Sequence, residues 1–293
     1  MLTLLNIQDF LERAIKGETK LSPDLIEQFV VDCRTSVEKQ MRRQDGEWRI
    51  RMSGLGRPLC QQMLDKENVE ESMEYNAILR FLFGDITEAI LMLVMRQAGV
   101  NVIDFQKPCT LEVAGHTIHG TLDVIIEENG EIKVWDIKSA SDWAFKNKYA
   151  HGYDKLLEED PFGYVMQGYL YSEAAGYPFG GWIVVNKSSG EVMQVEVPSW
   201  RDDKPAYLKD AERRVKYLVN PDSKFIRGYT AQNETVKTKG ETIPTGNKLM
   251  PKECGFCGYR QHCWPKAVLH DKVTSRAKFP PKVWYTNLKT TSV

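Results

Sequence analysis

The chain has 293 residues, 42% of them hydrophobic and 27% charged, with a formal net charge of −1. That is long enough to bury a sizeable core, and ordinary in composition for a soluble globular protein. It contains no apolar run of bilayer-spanning length, and its start, Met1-Leu2-Thr3-Leu4-Leu5 with Asp9 and Glu12 soon after, lacks the basic n-region of a signal peptide, so the expectation is a cytoplasmic protein with no membrane partner.

Residues 1 to about 43 read as helices, the second begun by Leu21-Ser22-Pro23-Asp24. Gln44-Asp45-Gly46-Glu47 reads as a turn. Trp48-Arg49-Ile50-Arg51-Met52 alternates before Ser53-Gly54-Leu55-Gly56. A long helix is expected from about Glu71 to Ala98, with Ile78, Leu82, Ile86, Ala89, Ile90 and Val94 recurring mostly at three- and four-residue steps. Strands follow over 102–113, 116–127 and 131–138, turning at Ala114-Gly115 and Asn129-Gly130. A helix is expected over about 159–176, a hairpin from Trp182–Asn186 to Glu191–Val197, and a helix over Lys204–Leu218. Thr230 to Asn247 is polar and reads as a loop. The order predicts an α/β fold: a mixed central β-sheet flanked by helices, with N-terminal helices and a C-terminal cysteine segment. Three segments are expected: an N-terminal helical part (1–70), a core (71–220) and a basic C-terminal part (221–293).

The charge is uneven. Pro221 to Val293 holds 13 Lys and Arg against 5 Asp and Glu, and Arg34 to Arg57 holds 7 against 3. Either segment could form a phosphate-binding path, and solvated surface lysines would give the same count. Of six cysteines, Cys33 falls in a helical stretch and Cys109 in a strand, and both are expected to be buried small apolar residues. A disulfide framework is not expected in a reducing compartment, so clustered cysteines point to metal or redox chemistry.

Asp123 follows Gly120-Thr121-Leu122 and leads into Val124-Ile125-Ile126. Asp136 and Lys138 are two apart on the next strand, so their side chains share a face. A hairpin joining the strands brings Asp123 close to Asp136. Two adjacent carboxylates repel unless a cation lies between them, and such an oxygen-rich site suits Mg²⁺ or Mn²⁺. Lys138 would then lie beside the water and a scissile phosphate, where it could orient the water or stabilise developing charge. Glu88 lies in the long helix four residues after Gly84. Gln167 and Tyr171 are four apart and share one helix face. A surface hairpin with an ion pair would also contain Asp-x-Lys; the ordered context is what distinguishes the two.

Gly84-x-x-x-Glu88, Gly120/Asp123, Asp136-Ile137-Lys138 and Gln167-x-x-x-Tyr171 resemble, in order, the motifs of the RecB-like branch of the PD-(D/E)XK nuclease superfamily, over roughly residues 53–175 and the cysteine segment. The resemblance implies a restriction-endonuclease-like core. It implies that Glu88, Asp123 and Asp136 ligate a metal together with the Ile137 carbonyl, that Lys138 is catalytic, and that Gln167 and Tyr171 contact DNA or support the site. Glutamate at position 88, where RecB, AddB and CRISPR-associated members typically carry histidine, looks more like the phage lambda-type exonucleases.

Cys254-x2-Cys257-x5-Cys263 is a compact thiolate set lacking a fourth ligand. His262 adjoins it and could complete a zinc site. One early and three late cysteines resemble the iron–sulfur nucleases of the AddB and CRISPR-associated type, which implies Cys60 as the fourth ligand and a 4Fe–4S cluster that staples distant parts of the chain; Zn²⁺ is the alternative. No Walker A run is present. The expected function is a stand-alone metal-dependent deoxyribonuclease, an exonuclease of recombination, repair or phage genome processing. It would act on single-stranded DNA or duplex ends in the cytoplasm (the host's, for a phage chain), with a recombination or single-strand-binding protein as partner. A CRISPR-adaptation nuclease and a catalytically idle or zinc-bearing nucleic-acid-binding protein are the alternatives.

Overall fold

The structure is a computed structural model that describes residues 2–42, 47–72, 74–238 and 240–289. The turn expected at Gln44-Asp45-Gly46-Glu47 lies, Glu47 apart, outside them. In chain order the helices are α1 Leu2–Ile15, α2 Pro23–Met41, α3 Met52–Leu55, α4 Leu59–Lys66, α5 Asn76–Gln97, α6 Asp142–Asn147, α7 Gly152–Glu158, α8 Tyr164–Ala175, α9 Lys204–Val219, α10 Lys252–Gly255 and α11 Arg260–Cys263. The strands are β1 Asn101–Val113, β2 His116–Glu128, β3 Glu131–Ala140, β4 Phe179–Asn186, β5 Val192–Glu196, β6 Gln232–Thr238, β7 Glu241–Leu249, β8 Val268–Asp271 and β9 Lys282–Asn287. The chain divides into two compact units, Met1–Arg57 with Tyr75–Asn220, and Pro58–Glu74 with Pro221–Val293. Residues 58–74 thus go with the C-terminal segment.

The first unit is α/β, with a mixed five-stranded sheet in the order β1-β2-β3-β4-β5. Neighbours are antiparallel except β3 and β4, which are parallel. The two hairpin turns have left-handed backbones at both central residues, Ala114-Gly115 and Asn129-Gly130, the geometry that matches strand twist. A parallel pair needs a long crossover. Here α6, a 3-10 turn at Tyr149–His151, α7 and α8 supply it. The sequence reading did not anticipate α6 and α7; each is under three turns and carries little periodicity.

The sheet separates two apolar layers. Leu91, Met92 and Met95 of α5 pack with Val124, Ile126, Trp135, Ile137 and Ile183. Phe145, Tyr153, Leu156, Val165 and Tyr169 pack with Phe179, Trp182 and Val184. Strand alternation therefore places Asp136 and Lys138 on the face opposite to Trp135 and Ile137. The register Val124–Trp135 sets Asp123 across from Asp136.

The helix expected over 159–176 starts only at Tyr164. Asp160 caps it, with Oδ1 and Oδ2 accepting from the Tyr164 and Val165 amides at 2.9 Å each. Its start is fixed by a backbone crossing of two glycines: a Cβ at Gly163 would lie 2.2 Å from the Gly56 carbonyl carbon, and Gly163 has φ +75°. Leu55 and Arg57 flank this crossing, and their carbonyls accept from Arg214 Nη1 at 3.2 and 2.8 Å.

Two expectations are corrected. Cys33 and Cys109 are half-buried rather than buried. Thr230 to Asn247 is no loop: it holds β6 and most of β7, paired as a hairpin in the second unit's sheet, ordered β6-β7-β9-β8. That hairpin hides its polarity inside. Glu234, 1% exposed, accepts from Asn247 Nδ2, Thr245 Oγ1, Tyr285 Oη and Thr274 Oγ1 at 2.8–3.2 Å. Burial pushes the carboxyl up, but these donors outweigh it and hold it below its ordinary range. A core built on a carboxylate leaves no hydrophobic alternation to read.

Gly163→Ala is expected to lower the unfolding free energy by about 2–4 kcal/mol, from the left-handed backbone and the displaced Gly56 crossing together. Urea unfolding followed by circular dichroism measures it; a loss under about 1 kcal/mol would mean the crossing yields easily.

Candidate active site

Asp136 is 1% exposed. Its Oδ1 accepts from Lys138 Nζ at 2.8 Å and from Gln167 Nε2 at 3.2 Å. Its Oδ2 lies 2.7 Å from the same ammonium but is buried and makes no hydrogen bond. Across the hairpin, Asp123 Oδ2 accepts from the Ile137 amide at 2.8 Å. That bond ties the two strands where their regular pairing ends.

Burial drives the Asp136 carboxyl upward; Lys138 opposes this and the neighbouring Asp123 adds to it, and the net shift is up. Burial pulls the Lys138 ammonium down, but Asp136 and Asp123 outweigh it and hold it well above its ordinary value. Lys138 Nζ also lies 4.7 Å from the centre of the Tyr164 ring.

Glu88 enters from α5. Burial is the main cause that raises its carboxyl, and Asp123 adds to it. Its Oε1 accepts from Gln106 Nε2. Gln106 lies in β1 between the pairs Phe105–Val124 and Lys107–Leu122, and has a left-handed backbone, φ +48°. A non-glycine residue held so is strained, and the strain aims its amide at the helix. On α8, Tyr171 is 3% exposed, and burial followed by the charges of Asp123 and Asp136 raises its phenol. Gly120 makes room for it: a Cβ there would lie 2.5 Å from Tyr171 Cε1.

Glu88, Asp123, Ile137, Lys138, Gln167 and Tyr171 line one cleft of about 1030 Å³, with Asp136 behind its wall. Lys39, Arg49, Arg51, Arg80 and Lys187 line it too. Four of these five cations come from the first unit's N-terminal part and the start of α5; of the basic segment Arg34–Arg57, Lys39, Arg49 and Arg51 reach the cleft. The cleft also exposes Cys109. Sequence reasoning missed Gln106, Tyr164 and the wall cations Arg80 and Lys187; a single polar or aromatic residue in a strand or at a helix start carries no spacing signal.

In the second unit Cys60, Cys254, Cys257 and Cys263 line one small pocket, with Arg227, Gly228, Arg260 and Trp264. Gly228 leaves space there: a Cβ would sit 3.1 Å from Cys60 Sγ. Burial, and then the neighbouring thiols, raise Cys254, Cys257 and Cys263, although Trp264 lowers Cys254 and Arg227 lowers Cys263. His262 is exposed and stacks edge-on with Phe225. Among the described residues no three or more His, Cys, Asp or Glu side chains are closed into a ligand set for a metal ion. In the cleft the reason is visible: Lys138 holds Asp136, Gln106 holds Glu88 and the Ile137 amide holds Asp123.

No family model matches this chain. No curated protein matches it either. Among solved structures, one titled "Crystal structure of SSO0001" is similar over 80% of this chain and 94% of its own, at 18% identity and a TM-score of 0.44.

Proposed function

We propose that the cleft is the active site of a divalent-metal-dependent phosphodiesterase acting on DNA, as an exonuclease of recombination, repair or phage genome processing. The observation that carries this reading is the buried Asp136 carboxylate, held by Lys138 with Asp123 across the hairpin, behind the wall of a cleft lined by arginines and lysines. A carboxylate whose partner is an ammonium can exchange it for another cation, and an all-oxygen donor set of Glu88, Asp123 and Asp136 fits Mg²⁺ or Mn²⁺. When bound, such an ion supplies charge for the phosphoryl oxygens and acidifies a water.

The protein's own residues do the rest. Lys138 is held at the cleft wall by Asp136 and Tyr164, where its ammonium would offset charge developing on a phosphate, and Glu88, Asp123 and Asp136 would hold the ion. Gln167 keeps Asp136 oriented. Gln106 holds Glu88 at the cleft wall. The wall cations attract the polyanionic strand. For the cysteine pocket we propose a metal group held by Cys60, Cys254, Cys257 and Cys263, a 4Fe–4S cluster with Zn²⁺ as the alternative; four thiols lining one pocket support it. The rival reading is an idle nucleic-acid-binding module. It draws on one observation, that Lys138 already neutralises Asp136.

Asp136→Asn and Lys138→Ala are each expected to lower cleavage of end-labelled DNA by at least a hundredfold with saturating Mn²⁺, while DNA binding at low salt persists. Wild-type protein that binds DNA but does not cleave it in either metal would favour the idle module.

The raised carboxyls give a second expectation. Glu88 in the folded protein, its carboxyl raised, binds a proton at neutral pH that the unfolded chain does not. Metal-free stability is therefore fully present below the unfolded value and falls as pH rises toward the folded one. Glu88→Gln should raise the metal-free melting temperature more at pH 8.5 than at pH 5, and divalent metal should stabilise wild type more than the variant. Equal shifts at both pH values would contradict the assignment.

Cys60→Ser should remove the visible absorbance of a cluster and lower the melting temperature, since the ligand closes a very long loop, a constraint of roughly 3–5 kcal/mol. Full iron and sulfide in that variant would place the fourth ligand elsewhere, with His262 and Cys33 next to test.

A further inference from the structure

Among the described residues, the second unit has two buried side-chain donor atoms without a well-formed hydrogen bond, Trp264 Nε1 and Arg260 Nε, and both residues line the cysteine pocket; the pull of the indole on the Cys254 thiol marks that sulfur as its neighbour. Both atoms are donors. Leaving a buried N–H unpaired costs on the order of 1–3 kcal/mol, so two in one place call for a reason. Nothing else about these residues is loose. Trp264 is clamped: the Arg227 guanidinium stacks 4.3 Å from its ring centre and donates to the Cys263 carbonyl. Arg260 has its carbon Cζ 4.1 Å from the centre of the Trp284 ring, and its Nη1 donates to the Gly255 carbonyl at 2.8 Å. Two donors are thus held rigidly beside a pocket whose lining includes four thiols, and the Trp264 indole faces Cys254.

A neutral thiol is a poor acceptor. A thiolate or an inorganic sulfide is a good one, because its sulfur carries negative charge. We infer that Trp264 Nε1–H and Arg260 Nε–H are donors to the sulfur atoms of the thiolate-held group, and that Trp264 sets how easily that group accepts an electron. The inference rests on the cysteine-pocket reading proposed above and is independent of the carboxylate cleft. An N–H···S bond stabilises the more negative, reduced state over the oxidised one, so the donors raise the reduction potential. Arg227 is the positioning residue: by stacking on the indole it fixes the direction of the N–H. Both donors favour an electron-rich sulfur group over a small apolar void, which would be lined by carbon.

The test uses the full chain purified without oxygen. Wild type should contain iron and acid-labile sulfide. Trp264→Phe keeps the ring for Arg227 to stack on but removes the N–H. It should load the same iron and sulfide, yet at a fixed poise near the wild-type midpoint its reduced fraction should fall severalfold. Arg227→Leu, which frees the indole, should move the same way by less. Should Trp264→Phe fail to load or fold, wild type alone decides: with tryptophan labelled at the indole nitrogen with ¹⁵N, pulsed paramagnetic resonance of the reduced protein should show a nitrogen coupling. Unchanged reduction in a fully loaded Trp264→Phe, or no indole coupling in wild type, overturns the inference and leaves the cluster reading intact. Wild type with zinc, or with no metal on these cysteines, overturns both.

Discussion

A carboxylate taken out of water has to be neutralised, protonated or bound to a cation, and the first unit is organised around that requirement at Asp136. Its position is not negotiable: β3 pairs antiparallel with β2 on one side and parallel with β4 on the other, and apolar layers cover both faces. The strand that must be buried therefore carries an acid into the interior. Lys138, two residues on and on the same face, supplies the counter-charge, and Gln167 supplies a further donor. A buried ion pair of this kind adds little net stability compared with apolar residues of equal size.

The same requirement explains the placement of the surrounding elements. α8 must come close enough for Gln167 and Tyr171 to reach the sheet, and glycines at three contacts permit it: Gly163 against Gly56, Gly120 beneath Tyr171 and Gly168 against Phe179. On the other edge, Gln106 adopts a left-handed backbone to meet Glu88. The second unit follows a parallel logic with opposite polarity. Its buried Glu234 is provided with four donors, whereas Trp264 Nε1 and Arg260 Nε are buried donor atoms that make no well-formed hydrogen bond.

Much of the first unit was legible in the sequence because its signals are local. Ala-Gly and Asn-Gly turns mark both hairpins, and the apolar run Val124-Ile125-Ile126 and the alternation around Asp136 mark buried strands. Spacing also told that Asp136 and Lys138, or Gln167 and Tyr171, share a face. The second unit was less legible. β6 and β7 bury a carboxylate and an asparagine in place of an apolar row, so the segment reads as polar coil. In the first unit α2 buries no residue fully, and its start was marked by Leu21-Ser22-Pro23-Asp24. Residues that act by approach, such as Gln106, Tyr164 and Trp264, have no partner at a fixed sequence offset and emerge only from three dimensions.

The central claim is that a divalent cation can take Asp136 from Lys138. The most direct measurement is a crystal structure of the metal-free protein and of the same crystals soaked in Mn²⁺, with anomalous data at the manganese edge. The account predicts one anomalous peak within ligand distance of Asp136 and Asp123, Glu88 turned in from Gln106, and the Lys138 ammonium moved off the Asp136 carboxylate. An intact Lys138–Asp136 pair with no peak in the cleft, at Mn²⁺ concentrations that support DNA cleavage or in its absence, would contradict it.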